Sequence, residues 1–183
     1  DHIVNQRGKV LCIQRTGWGK SMVYFVAAKL MRAQGRGVTL IISPLLALMR
    51  NQIEAANRLQ LKALTINSTN TDNWEVVRRE LLADRADLLL ISPERLANDA
   101  FVTDVLQPIA ARIGLLVVDE AHCISEWGHN FRPDYLKLPD YQHQFNIPQA
   151  LLLTATATPA VIADMQRGLF TNWFLFHDPF TLI

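Results

Sequence analysis

Seven short apolar runs punctuate the chain: Val10–Ile13, Val38–Ile42, Ala63–Ile66, Leu88–Ile91, Leu115–Val118, Ala150–Leu153 and Phe174–Phe176. Each is continuous rather than alternating, the pattern of a strand covered on both faces. Most of the intervening segments have helical spacing. After the second run, Leu45, Leu48, Met49, Ile53 and Ala56 fall on one stripe; after the first, Val23, Ala27 and Leu30 do so, with Met22 and Val26 beside them. Strand alternating with helix predicts right-handed βαβ units and a mostly parallel sheet with helices on both faces, a three-layer α/β architecture. No internal repeat, low-complexity tract or linker divides the chain, so residues 1–183 are expected to form one domain. Ligands of such sheets bind beyond the carboxyl ends of the strands, so the residues following each run are where chemistry is expected.

Composition narrows the classes. A chain of 183 residues is the size of one domain and buries roughly 70% of the surface its unfolded form exposes. Hydrophobic residues make up 50% and charged residues 19%, a globular balance rather than a disordered one. The net charge of +1 supplies no general basic field, so any nucleic-acid contact has to be local. The two cysteines, Cys12 and Cys123, form no C-x-x-C pair. They read as buried, reduced thiols, in keeping with a cytoplasmic protein of bacterial type. No apolar stretch approaches the ~20 residues that span a bilayer. Asp1-His2-Ile3-Val4 lacks the charged-then-apolar layout of a signal peptide, so no membrane partner is expected.

The first run ends in Gln14-Arg15-Thr16-Gly17-Trp18-Gly19-Lys20-Ser21, with a helical segment behind it. The phosphate-loop pattern G-x-x-x-x-G-K-[ST] is met at its last three positions, with Gln14 in place of the first glycine. Gly17 and Gly19 let backbone approach a phosphate without a Cβ between them. The N–H groups of Thr16 to Ser21 and the helix start attract the anion. Lys20 is placed to reach the β- and γ-phosphates of ATP, and Ser21 to offer its hydroxyl to Mg2+. The alternative is a glycine-bearing strand-to-helix turn capped by Ser21. Trp18 fits either packing over the loop or stacking on a nucleotide base.

The fifth run ends in Val117-Val118-Asp119-Glu120-Ala121-His122. An acidic pair after a buried strand suits two tasks. Asp119 would hold Mg2+, in part through water, and Glu120 would orient or deprotonate an attacking water. The alternative is a surface turn with a helix cap at Asp119. Taken with the glycine loop, the pair predicts nucleoside triphosphate hydrolysis, with Lys20, Asp119 and Glu120 as the catalytic set.

Here the residues resemble a known family. Asp119-Glu120-Ala121-His122 is the DEAH form of helicase motif II, and Cys123-Ile124-Ser125-Glu126-Trp127-Gly128-His129-Asn130-Phe131-Arg132-Pro133-Asp134-Tyr135 is similar to the aromatic-rich loop of RecQ-like DNA helicases. Ser43 to Gln52 resembles motif Ia, Ile91 to Leu96 motif Ib, Leu153-Thr154-Ala155-Thr156-Ala157 motif III, and Asp178-Pro179-Phe180 the segment closing the first domain; the likeness covers about residues 8 to 180. It implies a RecA-like domain in which the motif III strand lies between the phosphate-loop and acid-pair strands. It further implies ATP-driven 3′-to-5′ translocation on single-stranded DNA and unwinding at duplex junctions. Thr154 and Thr156, with His122 as partner, would couple the nucleotide site to the DNA side.

The resemblance assigns Ser43, Pro44, Ser92 and Arg95 to the phosphates of single-stranded DNA, and Trp127, His129, Phe131 and Arg132 to sensing that strand. On the residues alone, rings give base stacking worth ~1–3 kcal/mol each, and arginine adds a phosphate or cation–π contact. Packing of Trp127 and Phe131 onto the domain is the other reading. Ser43 and Ser92, each before proline, suit helix capping as well as phosphate contact, and Arg95 suits a solvated face as well as a phosphate. Gln14-Arg15 stands where many family members have Met-Pro, Trp18 where they have a small residue, and Glu126 and Asn130 where Gln and Asp are common. The upstream segment that reads adenine has no convincing copy, Gln6 being a poor candidate. A second RecA-like domain of the same polypeptide is expected to complete the motor.

Overall fold

The computed structural model describes residues 3–5, 8–44, 46–66, 74–126, 131–168 and 173–177. Every predicted run forms a strand: β1 (Lys9–Ile13), β2 (Val38–Ile42), β3 (Ala63–Ile66), β4 (Leu88–Ile91), β5 (Ile113–Val118), β6 (Ala150–Thr154) and β7 (Trp173–His177). They make one sheet in the order β3-β4-β2-β5-β6-β1-β7, and every pairing is parallel. β2, β4 and β6 are buried at each position, which is why their runs are unbroken. At the β3 edge only Ile66 is buried.

The helices are α1 (Lys20–Ala33), α2 (Leu46–Arg58), α3 (Trp74–Leu82), α4 (Asp99–Phe101), α5 (Gln107–Ile109), α6 (Leu138–Gln144) and α7 (Pro159–Gly168). α4 and α5 belong to one helical path, π-wound over Val102–Leu106 and tightening to a 3-10 turn over Ala110–Arg112. Pro108 brings no N–H, and its ring excludes the carbonyl four residues back, so ordinary α-winding cannot run through it.

The period of two divides each strand between two cores. Val10, Cys12, Ile41, Leu90, Val117 and Leu153 pack with α1, with Met49 and Ala56 of α2, and with Ile3 and Val4. On the other face, Leu11, Ile13, Leu40, Ile42, Leu116, Val118 and Leu152 pack with α3, the 99–112 path, α6 and α7. Three layers result. The stripe expected on α1 packs in part: Ala27 is buried and Val23 is half-buried against the core. Tyr24, Phe25, Ala27, Ala28 and Met31 are buried, while Met22, Val26 and Leu30 are 48%, 45% and 49% exposed. Aliphatic residues occupy most of this helix's circumference, and two aromatic rings beside two small alanines decide which side meets the sheet. On α2, Met49 and Ala56 are buried as expected and Ile53 is half-buried; Leu45 and the side chain of Leu48 lie outside the described residues.

Both cysteines are free and buried. Among the described residues no helix is long and apolar enough to cross a membrane. At the amino edge of the sheet, Arg36, Gly37, Arg112, Ile113, Phe145 and Gln149 help line a cavity of about 660 Å3. A Cβ on Gly37 would stand 1.7 Å from the Arg112 carbonyl oxygen, so only glycine lets these two segments meet. The chemistry-bearing residues lie at the opposite, carboxyl edge. There three backbone bonds link neighbouring strand ends: Gln14 N to Thr154 O at 3.1 Å, Asp119 N to Ile42 O at 2.9 Å and Ser43 N to Ile91 O at 3.1 Å.

Candidate active site

The glycine loop joins β1 to α1, and its shape depends on two left-handed residues, Gly17 at φ 83° and Gly19 at φ 92°. Gly19 is the N-cap residue of α1 and no side chain caps that helix, so Ser21 is not the cap that the simpler turn reading offered. The first N–H groups of α1 are left directed outward, as an anion requires. Lys20 turns back over the loop, its Nζ donating to the carbonyls of Gln14 at 2.9 Å and Arg15 at 3.3 Å. Gln14 is buried and its backbone is tied to β6, so the residue replacing the usual first glycine anchors the loop. Thr16 and Trp18 stand on the exposed rim, Trp18 at 43%.

Asp119 follows β5, which is separated from β1 by β6 alone. It is buried, not the surface turn that was the alternative. Its Oδ1 accepts from the Glu120 N–H at 3.0 Å, and its Oδ2 from Gln52 Nε2 at 3.2 Å. Burial, and then the neighbouring Glu120 charge, hold its carboxyl above the usual carboxylate range; the Glu120 N–H, Gln52 and Lys20 pull the other way. Glu120 takes a left-handed backbone, φ 50° and ψ 46°, a conformation that costs a non-glycine residue ~1–2 kcal/mol. Its Oε2 lies 3.2 Å from His122 Nδ1. The His122 bond holds its carboxyl below the ordinary value, against burial, and Lys20 adds to the lowering. One ammonium thus acts on both carboxylates. Lys20, Asp119 and Glu120 meet at one end of the sheet, as a shared triphosphate and cation would require.

The motif III threonine closes the arrangement. His122 Nδ1 is 3.0 Å from Thr154 Oγ1, and that hydroxyl donates to Thr156 O at 2.9 Å. The Cys123 sulfur, 3.8 Å from His122 Nε2, and then Glu120 hold the imidazole up to about 9, against burial. The expected strand order is found, with β6 lying between β1 and β5.

A family model described as DEAD/DEAH box helicase matches residues 1–165. The chain belongs to the DEAD/DEAH box helicase family. Within it, the chain resembles the RecQ helicases. It is 38% identical to ATP-dependent DNA helicase RecQ of Bacillus subtilis over 169 residues, 91% of this chain and 27% of that protein. It is 39% identical to ATP-dependent DNA helicase Q5 of Rattus norvegicus over 162 residues, 84% of this chain and 16% of that one. It therefore spans about a quarter or less of the length of these relatives. Two solved structures share the fold: the Pyrococcus furiosus Hef helicase domain (TM-score 0.68, 22% identity, 95% of this chain and 36% of that one), and the DUF1998 helicase MrfA bound to DNA and AMPPNP (TM-score 0.75, 15% identity, 97% and 26%). The architecture is thus the three-layer RecA-like domain of helicases.

The helicase domain's other motif residues are placed unevenly. Ser43 is fully buried and its Oγ meets no partner among the described residues, while Pro44 is half-buried. Ser92 is buried, and its hydroxyl donates to Glu94 rather than capping the turn behind it. Arg95 is not on a solvated face: it is 8% exposed, and its guanidinium carbon stands 5.7 Å from the centre of the Trp74 ring. Phe131 and Arg132 are half-buried, with Arg132 N donating to Cys123 O at 2.9 Å. Trp127 and His129 lie outside the described residues, as do Gln6 and Asp178-Pro179-Phe180.

Two residues given no role on sequence grounds reach the acid pair. Gln52 of α2 bonds the Asp119 carboxylate, and Tyr135, wholly buried, donates its hydroxyl to Asp119 O at 3.1 Å. Spacing could not reveal either, because the first depends on the order of strands and the second on how the segment after β5 folds back. Farther out, Ser125 donates to Asp164 of α7 at 2.7 Å, fastening the segment after motif II to the helix after motif III. The donor set suits Mg2+: a buried carboxylate just after β5 and the Ser21 hydroxyl in the first turn of α1, behind the glycine loop. Mg2+ favours few protein ligands, with water and phosphate oxygens completing its shell.

Proposed function

We propose that this chain is the ATP-hydrolysing half of a DNA helicase motor. With a second RecA-like domain of the same polypeptide, it moves 3′ to 5′ along single-stranded DNA and unwinds duplex at junctions. The observation that supports it most directly is the placement of Lys20, Asp119 and Glu120 at one end of the sheet, with His122 bridging Glu120 to the motif III threonine. The relatives' names, ATP-dependent DNA helicases, point the same way.

In this reading residues 1–183 are one RecA-like unit. The N–H groups of Thr16 to Ser21 hold the phosphates, and Trp18 covers the loop or stacks on the base. Lys20 exchanges the carbonyls of Gln14 and Arg15 for phosphate oxygens. Asp119 and Ser21 hold Mg2+, which when bound neutralises charge on the phosphates. Glu120, kept ionised by His122, takes the proton of the attacking water at its carboxylate. Ser43, Pro44, Ser92 and Arg95 contact strand phosphates; Ser43 and Ser92, both buried, have to be uncovered to do so, and Arg95 has to leave its place against Trp74. Trp127, His129, Phe131 and Arg132 sense the strand, and His122 with Thr154 and Thr156 passes the signal to Glu120.

The test uses the full-length protein. Hydrolysis is measured with single-stranded DNA, with RNA and with neither, and unwinding on 3′-tailed and 5′-tailed duplexes. Stimulation by DNA above RNA, unwinding of the 3′-tailed substrate, and loss of turnover in Glu120→Gln are expected. Equal turnover in the Glu120→Gln protein would overturn the hydrolytic role. Preference for RNA or for the 5′ tail would overturn the assigned track.

A further inference from the structure

Asp119 is held at four atoms. Its backbone N donates to Ile42 O, its backbone O accepts from Tyr135, Oδ1 accepts from the next residue's N–H, and Oδ2 accepts from Gln52. The first and third of these come with the strand end itself. The fourth crosses from another layer, because Gln52 sits on α2, the helix that begins just after Ser43-Pro44. Gln52 is buried, and its Oε1 has no partner among the described residues. A buried amide with one end satisfied and the other not is an expensive choice for a residue that only fills space. A methionine of similar volume would fill the place without that penalty.

We infer that Gln52 is a positioning residue: it fixes the rotamer of the Asp119 carboxylate and relays displacement of α2 to it. The inference rests on the proposed role of Asp119 in holding Mg2+ and on that of Ser43-Pro44 in holding strand phosphates. At 3.2 Å the Gln52 bond is already long for a charge-assisted contact. A shift of α2 by a few tenths of an ångström is therefore enough to make or release it. Strand contact at the start of α2 thereby sets how well the carboxylate is aimed, and so the affinity for Mg2+. Partners of metal-holding groups commonly change metal affinity ten- to a hundredfold when removed.

The experiment follows binding of a fluorescent ATP analogue to the full-length protein, titrated with Mg2+ and repeated in EDTA, with and without single-stranded DNA. Gln52→Met keeps the volume and removes the donor. It should leave the affinity in EDTA unchanged, raise the Mg2+ midpoint about tenfold, and abolish the shift that DNA makes in that midpoint. Gln52→Asn keeps the amide but withdraws it by one methylene; it should behave alike and is read in parallel in case the methionine protein does not fold. A wild-type midpoint and a wild-type DNA shift in the folded variant overturn the relay. Asp119→Asn separates the two levels: if it too responds normally to Mg2+, the reading of the site itself fails. If it loses the response while Gln52→Met keeps it, only the relay is lost.

Discussion

His122 Nδ1 donates to Thr154 Oγ1 across 3.0 Å, joining residues that follow and end two neighbouring strands. The direction is fixed by the threonine, whose own proton goes to Thr156 O at 2.9 Å. The same Nδ1 lies 3.2 Å from Glu120 Oε2. One imidazole proton is therefore divided between the carboxylate next to Asp119 and a hydroxyl of motif III. Whatever draws it toward one acceptor loosens the other.

Removing the threonine acceptor should leave that proton wholly with Glu120. Thr154→Val is expected to reduce DNA-stimulated hydrolysis about tenfold, the equivalent of one hydrogen bond, whereas Thr154→Ser keeps the rate. Turnover of the full-length protein at saturating DNA decides it. A valine variant as fast as the serine one would leave this bond without a part in coupling.

His122 also predicts a pH dependence of stability. Its imidazole is raised from 6.5 to about 9, first by the Cys123 sulfur and next by Glu120. The folded state holds this proton more tightly than the unfolded chain, so the contribution is complete below pH 6.5 and is lost as pH rises through about 9. Urea midpoints should fall across that interval, and His122→Gln should flatten the fall. Parallel curves for the two proteins would contradict the ion pair.

Asp119 trades stability for chemistry. Its carboxyl is raised by burial and by Glu120, so at neutral pH the ionised form is a liability to the fold. Asp119→Asn removes the charge and keeps one acceptor oxygen, for Gln52 or for the Glu120 N–H but not for both. Unfolding free energy should rise, while Mg2+-supported hydrolysis falls by about 100-fold or more. A less stable Asn variant would mean that the charge is better compensated than its surroundings indicate.

The phosphate loop can be tested in two parts. Lys20→Ala should abolish nucleotide binding, and undiminished affinity would remove the loop from the site. Gly19→Ala meets no atom within 4 Å, so its penalty is conformational: at φ 92° about 1–2 kcal/mol of stability should be lost. Calorimetry that finds no change would show that the left-handed turn relaxes freely.

The strands were legible because a sheet covered on both faces needs unbroken apolar runs, and little else in a short segment produces them. The loop and the acid pair were legible because their residue types are set by chemistry at strand ends. Helix facing was harder: α1 carries aliphatic residues on most sides, so Met22, Val26 and Leu30 looked as fit for the core as Tyr24 and Met31 were. The burial of Arg95 is not legible in the sequence, because the ring that covers it, Trp74, begins a distant helix. The contact of Gln52 with Asp119 exists only once β2 and β5 are neighbours, and that of Tyr135 only once the segment after β5 has folded back on its own start.

The placement of β1 carries a consequence for biogenesis. Lys9 pairs with Ala150 on one side and with Trp173 on the other, so the strand that carries the glycine loop has no neighbour in the sheet until β6 has been made. A nascent polypeptide emerging from the ribosome holds its glycine-bearing turn without a scaffold, and pairings this far apart in sequence form slowly. If the loop grips a triphosphate as proposed, it does so on a firm scaffold only after β6 and β7 have joined the sheet.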